Sequence, residues 1–450
     1  MYDRSTNSIL SVTYEEYECF RFMESERALP ENSAILQRFT DQGYFEENKI
    51  EEITHSATPL LPFYMSNNIN QLTIQVTQKC NLRCTYCSYG GNYKGQRTHG
   101  DISMSLDMIK KCVDFAMERS RNVNELYIGL YGGEPFLEFQ KIKECVAYVK
   151  QQYANRNVLF TITTNGTCFN DEILGFITEN EIHTPISFDG PKELHDKNRV
   201  FADGSGSFDV IMKNLRYIKT KYPEYYEKME LFTTVSPGTD FKCVHDFFNA
   251  DDILYESSVR RSLVNTYNAK EEMKYDDLFA VTNGFQEVKV LLAELGLYSR
   301  DKTSAMYRGD INLLKRAYKG LTKGGVNIVS HPGGPCIPGS MRPYVDVHGR
   351  IFPCERVNEN AVMQIGHIDT GFDIKKAEEI LNVGRLTAKE CMECWNLMHC
   401  TLCAAACDGG DKLCGQARLK NCMQAMSVTI DTFVKICLLK ENGYDFDMRG

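Results

Sequence analysis

Three cysteines, Cys80, Cys84 and Cys87, stand in the spacing Cys-x3-Cys-x2-Cys within one short polar stretch. Thiolates are soft ligands, and three of them in one loop suit a cubane iron–sulfur cluster. Three ligands for four irons leave one iron open, so such a cluster can bind a substrate or cofactor instead of only passing electrons. A structural zinc site prefers four ligands and paired Cys-x2-Cys spacings. No fourth Cys or His lies close by, and His99 is twelve residues on. A second concentration lies far downstream: nine of the eighteen cysteines fall between Cys336 and Cys422. The six others outside these two groups, Cys19, Cys112, Cys145, Cys168, Cys243 and Cys437, read as small buried hydrophobes.

Composition narrows the setting in which these thiols work. A chain of 450 residues suggests two or three domains. Its formal charge of −9 argues against an electrostatic nucleic-acid binder, which needs a basic face. No run of about eighteen apolar residues stands out, so no membrane span is expected. The polar start Met1-Tyr2-Asp3-Arg4 has no apolar signal core. A long chain with clustered cysteines and no signal reads as a cytoplasmic metal binder rather than a secreted disulfide scaffold.

The elements that must position the cysteines alternate. Gln71–Thr77 has period two and is the first strand of a repeat. Further strands are expected at Glu125–Tyr131, Val158–Thr163, Pro185–Phe188 and Met229–Val235, with a less clear sixth at Ser258–Val264. Amphipathic helices fall between them, one with Phe208, Ile211, Leu215, Ile218 and Tyr222 on one stripe. Repeated βα units predict an α/β fold with a parallel sheet, here a partial (β/α)6 TIM-like barrel. Function in such folds sits at the C-terminal strand ends. The irregular segments fall there: Gln78-Lys79-Cys80, Gly132-Gly133-Glu134-Pro135, Thr164-Asn165-Gly166, Asp189-Gly190-Pro191 and Ser236-Pro237-Gly238. Residues 1–66 read as a small N-terminal α/β module, with Thr13 and Glu16 as a capping box, a helix at about 32–41 and a linker at Thr58–Pro62. The barrel takes 67–330, a cysteine-rich iron–sulfur domain 331–425, and a C-terminal helix and tail 426–450. Within the third, Pro343–Pro353 predicts a hairpin turning at His348-Gly349.

The segment Cys80-Asn81-Leu82-Arg83-Cys84-Thr85-Tyr86-Cys87 after a strand resembles the signature loop of the radical S-adenosylmethionine (radical SAM) enzymes. The resemblance implies a catalytic [4Fe-4S] cluster on Cys80, Cys84 and Cys87, with S-adenosyl-L-methionine at its open iron. It implies that Tyr86 lies near the adenine. Gly132-Gly133-Glu134-Pro135 resembles the family's motif for the methionine amino group, where glycines let backbone approach the ligand and a carboxylate meets an ammonium. By the same resemblance Asn165, Ser187 and Asp189 contribute ribose and carboxylate contacts, and Arg199 could pair with that carboxylate. Read without the family, Asn165-Gly166 is a turn pair, Ser187 and Asp189 are caps, and Arg199 is a surface ion pair.

Downstream, Cys336, Gly349 and Cys354, then Cys391-x2-Cys394-x5-Cys400, resemble the SPASM extension of radical SAM enzymes, which holds two auxiliary [4Fe-4S] clusters. The pattern departs after Cys400: the family's next cysteine falls at Ala404, while this chain has Cys403 and Cys407. The resemblance implies an outer cluster on Cys391, Cys394, Cys400 and Cys422, and an inner one on Cys336 and Cys354 with Cys403 or Cys407. Cys414 is a spare ligand or a structural thiol. His348 and His399 read as hairpin or surface residues. Two clusters besides the first give ~12 irons per chain.

The resemblance implies one-electron cleavage of S-adenosylmethionine and hydrogen abstraction by a 5′-deoxyadenosyl radical. An external flavodoxin or ferredoxin would supply the electron. SPASM-bearing members mostly modify peptides or proteins. The first sixty residues resemble a shortened leader-recognition element, and Cys394-Trp395 with Cys403 resembles thioether-forming maturases of cysteine-rich peptides. The expected function is therefore a thioether-installing maturase (sactipeptide, ranthipeptide or SCIFF type) acting on a small cysteine-containing precursor peptide. The rivals are a formylglycine-forming anaerobic sulfatase-maturating enzyme, a quinohemoprotein subunit maturase, and a non-enzymatic iron–sulfur or zinc scaffold. No nucleic acid and no membrane partner is expected.

Overall fold

The computed structural model describes residues 1–26, 34–255, 257–321 and 324–447. Six parallel strands follow one another around the site. They are β4 (Gln71–Thr77), β5 (Leu126–Gly132), β6 (Val158–Ile162), β7 (Ile186–Ser187), β8 (Glu230–Val235) and β9 (Ser258–Leu263). β1 (Tyr2–Asp3), β2 (Ser8–Ile9) and β3 (Glu52–Ile53) precede them. β4, β5 and β6 pair in register, with Leu72 opposite Ile128 and Ile128 opposite Phe160. β7, β8 and β9 form a second parallel run. The isolated parallel bridges Thr161–His183 and Thr164–Ile186 join the two runs into a partial barrel. All six expected strands are present: β4 has the expected bounds, β5 lies one residue further on, and the other four are one or two residues shorter where pairing ends.

The alternation in β4 has a specific meaning here. Leu72, Ile74 and Val76 are buried, and they join a core with Ile109, Cys112, Val113 and Ala116 of the Leu106–Glu118 helix. The opposite face, Thr73, Gln75 and Thr77, is buried as well. A strand with both faces enclosed but one of them polar lines an interior meant for polar contacts.

The open edge of the barrel beside β4 is covered by the C-terminal region. β10 (Val329–Ser330) lies apart from this sheet, paired in parallel with β3. β11 (Tyr344–Val345) pairs in parallel with β4, Tyr344 opposite Thr73. β12 (Arg350–Phe352), β13 (Gly366–His367) and β14 (Gly371–Phe372) then continue antiparallel. Covering an edge satisfies a row of backbone groups that would otherwise face another chain. The predicted hairpin is present, and Gly349 at its turn has φ +82°. The sequence boundary at 330/331 is thus crossed by one continuous seven-stranded sheet.

The N-terminal segment is bound to the rest by specific bonds. Thr13 N–H donates to Glu16 Oε2 at 2.7 Å and Glu16 N–H to Thr13 Oγ1 at 3.3 Å, the expected capping box of the Tyr14–Glu26 helix. The second helix spans Ala34–Asp41, and the predicted start before Ala34 lies outside the described residues. Asn7 Nδ2 donates to Gly320 O at 2.9 Å and Asn48 Nδ2 to Met392 O at 2.9 Å. The expected linker at Thr58–Pro62 is instead helical. A 3-10 turn, Thr58–Leu60, leads into the Leu61–Asn67 helix, because proline is tolerated in a first helical turn and Leu61 and Met65 bury against the core.

The expectation of no membrane-length apolar stretch needs correction. Among the described residues, Gly415–Glu441 is one helical stretch of 27 residues apolar enough by composition to span a bilayer. Within it, Phe433, Ile436 and Leu439 pack on Leu291, Ile311 and Leu314. Lys435 of the same stretch is ion-paired to Glu287 at 2.7 Å. Small polar residues dilute the run in the sequence.

Candidate cluster and cofactor site

The loop Cys80–Cys87 leaves the C-terminal end of β4 and turns over the ends of β5 and β6. Its three cysteines are half-buried. Burial pushes the Cys80 thiol up to about 12 and raises Cys84 and Cys87 as well. Each sulfur has nearby donors. Leu82 N–H points at Cys80 Sγ at 3.4 Å, and Tyr89 N–H bonds to Cys87. Arg199 Nη1 stands 4.0 Å from Cys84 Sγ, and Asn165 Nδ2 stands 4.0 Å from Cys80 Sγ.

Donation to a sulfur from the amide two residues on recurs downstream. Cys354 receives it from Arg356, Cys394 from Asn396 and Cys403 from Ala405. Cys112 and Cys145, buried in helices, receive none and are held as neutral thiols by burial. Amides aimed at sulfur stabilise thiolate and cluster charge, so these loops fit iron–sulfur ligation. Among the described residues no three Cys, His, Asp or Glu side chains already converge as a metal-ligating group.

The glycines of Gly132-Gly133 are demanded by the chain itself. Gly133 N–H donates to Thr77 O at 2.9 Å and Glu134 N–H to Lys79 O at 2.8 Å. A Cβ on Gly132 would lie 2.1 Å from Thr77 O, and one on Gly133 would lie 2.0 Å from Lys79 O. The close approach expected toward a ligand is thus made toward β4 and its cysteine loop. Glu134 is also committed internally. It is fully buried and accepts from Thr164 Oγ1 at 2.8 Å, Asn165 N–H at 2.8 Å and Phe136 N–H at 3.1 Å. Burial lifts its carboxyl to about 7 against those three donors. These bonds lock the ends of β5 and β6 together.

Tyr86, Asp189 and Arg199 meet in one buried cluster. Tyr86 OH donates to Asp189 Oδ2, Arg199 Nε lies 3.1 Å from the same oxygen, and the guanidinium sits 5.3 Å from the Tyr86 ring centre. Thr234 N–H donates to Asp189 Oδ1 at 3.1 Å. Arg199 is therefore not a surface ion pair. His195, missed in the sequence, supports this cluster. It accepts from Asp189 N–H at Nδ1 (3.3 Å), so its Nε2–H points to Ser207 Oγ at 2.9 Å, and Ser207 donates to Arg199 O. Asn165 Nδ2 donates to Asn81 Oδ1 at 2.8 Å, which ties its turn to the cysteine loop. Ser187 lies on the short β7, and its hydroxyl makes no hydrogen bond among the described residues.

The polar interior of the barrel holds a second network that no sequence motif announced. Buried Glu359 accepts from Gln75 Nε2 at 3.0 Å, Tyr344 OH at 2.8 Å and Arg97 Nε at 2.8 Å. Arg97 also covers the Tyr89 ring at 3.7 Å. The one available signal was Gln75, a polar residue in mid-strand. The network links the loop carrying Cys87 to the segment carrying Cys354.

The downstream cysteines fall into two neighbourhoods. Cys394 is within electrostatic reach of Cys391, Cys400 and Cys422. Cys403 is within reach of Cys336, and Cys354 within reach of Cys403. Cys407 neighbours both Cys403 and Cys400. Cys414 N–H donates to Cys407 O at 2.7 Å. His399 is half-buried: it contacts Asn7 Oδ1 at 2.7 Å and packs on Tyr2 and Phe433.

Comparison with known proteins agrees with this fold. Residues 74–250 match the Radical SAM superfamily. Over 192 residues the chain is 31% identical to the cysteine-type anaerobic sulfatase-maturating enzyme of Clostridium novyi, a match covering 42% of this chain and 50% of that enzyme. It is 24% identical over 199 residues to the radical SAM cyclopropyl synthase TigE of Paramaledivibacter caminithermalis, covering 41% of each. The solved structure of anSMEcpe with bound AdoMet and Cp18Cys peptide superposes with a TM-score of 0.58 at 19% identity, covering 82% of this chain and 99% of that one. The matched stretch spans about half the length of the curated relatives. Residues 74–250 are thus a radical SAM domain, in an α/β fold shared with the sulfatase-maturating enzymes and followed by a cysteine-rich C-terminal region.

Proposed function

We propose that this chain is a radical SAM maturase that oxidises a cysteine-containing peptide, and that its product is a thioether between the cysteine sulfur and a carbon. The observation that carries the reading is the repeated aiming of amides at cysteine sulfurs, in the loop at the barrel mouth and again in the C-terminal region. Cys80, Cys84 and Cys87 would hold the first cluster. Cys391, Cys394, Cys400 and Cys422 would hold one auxiliary cluster, and Cys336, Cys354 and Cys403, with Cys407 beside them, the other. When bound, the first cluster and S-adenosyl-L-methionine supply reductive cleavage and the hydrogen abstraction that follows.

The chain's own residues do the rest. Arg199 and Asn165 hold positive and polar groups toward Cys84 and Cys80. Asp189, bonded by Tyr86 and Thr234 N–H, keeps Arg199 in place. Tyr86, by the family resemblance, would lie near the adenine, and Ser187 near the ribose or the methionine carboxylate. The auxiliary clusters, held by the downstream cysteines, would supply an acceptor for the electron released on product formation, and an external flavodoxin or ferredoxin would supply the first electron.

A second reading is conversion of the peptide cysteine to formylglycine. The likeness of this chain to cysteine-type sulfatase-maturating enzymes favours it. Both readings are two-electron oxidations of a cysteine peptide, so one assay separates them. Reconstituted protein is incubated anaerobically with S-adenosylmethionine, reductant and cysteine peptides, beside a Cys80→Ala/Cys84→Ala/Cys87→Ala variant. The expected outcome is 5′-deoxyadenosine from the unaltered protein alone and a peptide lighter by two hydrogens. Exchange of sulfur for an aldehyde oxygen selects formylglycine. No 5′-deoxyadenosine at full iron loading overturns both.

A further inference from the structure

Arg418 is the most deeply buried cation in the cysteine-rich region, with 1% of its surface exposed. It sits on the short Gly415–Leu419 helix between Cys414 and Cys422. Nη1 donates to Leu402 O at 3.1 Å and Nη2 points at Cys400 Sγ at 3.6 Å. It also bonds to Cys407. Nε is buried with no partner. The negative groups within its reach are thiols, Cys400, Cys407 and Cys391, and among the described residues no carboxylate pairs with it.

A buried guanidinium without a counter-ion is strongly unfavourable. Arg199, the other buried arginine beside a cysteine, has Asp189 as its counter-ion. Arg418 has only sulfur, and that sulfur can balance it only when it carries charge, as it does when ligating a cluster. The placement also fills a gap. Cys394 and Cys403 receive an amide from two residues on, whereas the donor recorded for Cys400 is Arg418, and Cys407 takes one from Arg418 as well. Cys400 belongs to one cysteine neighbourhood and Cys407 lies at the edge of the other, so one charge stands between the two.

We propose that Arg418 is a positioning residue that supplies the positive charge shared by the two auxiliary clusters and raises the reduction potential of at least one of them. This rests on the reading that the C-terminal cysteines hold clusters. A fixed positive charge and N–H bonds at the ligating sulfurs favour the more negative, reduced state. The consequence is that the auxiliary clusters accept electrons more readily than they would without it.

The test uses the full chain, anaerobically reconstituted, with the first-cluster cysteines replaced by alanine so that only auxiliary signals are read. Iron is counted and midpoint potentials are measured by EPR-monitored redox titration for the parent, Arg418→Gln and Arg418→Lys. Iron at the level of no cluster in this parent would refute the cluster reading itself, separately from the role of Arg418. With iron present in the parent, the expected result is a lower potential in R418Q and a potential near the parent in R418K. If R418Q fails to load iron, loading by R418K at the parent potential supports the need for charge. Full loading of R418Q at the parent potential overturns the proposal, as does failure of both variants to load, since the fork shape rather than the charge would then be what matters.

Discussion

At the scale of single residues, the mouth of the barrel is held by groups that leave little freedom. Gly133 is an example, because a methyl group there meets the Lys79 carbonyl, which belongs to backbone and cannot swing aside. Gly133→Ala is expected to destabilise the protein by about 3 kcal/mol, read as a lower midpoint in urea unfolding. Asp189 gives a different prediction. It is fully buried and balances Arg199. Asp189→Ala strands that charge and is expected to cost about 3–5 kcal/mol, while Arg199→Met in the same background recovers most of the loss. A double variant that loses the sum of the two single variants' losses would show that the pair is not coupled. Cys80, Cys84 and Cys87 stood out in the sequence because their spacing is local, whereas Glu134, Asp189 and Arg199 were singled out only through a family resemblance. The pairings were not legible: Tyr86 and Asp189 are 103 positions apart, and Gln75 and Glu359 are 284 apart.

At the scale of elements, the pairing of β11 with β4 makes the barrel and the cysteine-rich region share a sheet. The β11–β12 turn is pinned by Asp346, which is buried and accepts from His348 N–H at 3.0 Å, Arg350 N–H at 2.9 Å and Arg350 Nε at 2.7 Å. Asp346→Ala removes three bonds and is expected to destabilise by about 2–3 kcal/mol. Because Thr73 N–H donates to Pro343 O at 2.9 Å across this junction, its amide should exchange faster with deuterium in the variant. Unchanged exchange at Thr73 would mean that β11 holds its place without the turn. The strands themselves were readable as short apolar runs between helices. Which strand neighbours β4 on its free side was not, since 271 positions separate Ile74 from its partner Val345 and no local pattern encodes that pairing.

At the scale of the whole molecule, two neutral histidines make stability depend on pH. His195 in the barrel is pushed down to about 3 by burial and then by Arg199. His331 before the cysteine region is pushed down to about 4, chiefly by burial, and accepts from Gly384 N–H at Nε2. Below about pH 6.5 the unfolded chain takes up protons that the folded chain refuses, so the unfolded state binds more protons and stability falls as pH falls. The loss at about pH 5 is expected to be about 2 kcal/mol for each histidine, continuing down to the folded values. Urea unfolding of the protein and of His195→Gln across this window checks it: the variant should show the shallower slope, and an equal slope would remove His195 from the account. The sequence by itself determined the cysteine-spaced loop, the order of βα units and the hairpin at Gly349, because each follows from residues close together in the chain. Tertiary structure alone decided that the polar face of β4 points inward, that Glu134 is tied up by β6, that Arg418 lies between two sets of thiols, and that the first ten residues lean on Trp395, His399 and Phe433. Burial is a property of what packs over a residue, and what packs over these residues comes from chain tens to hundreds of positions away.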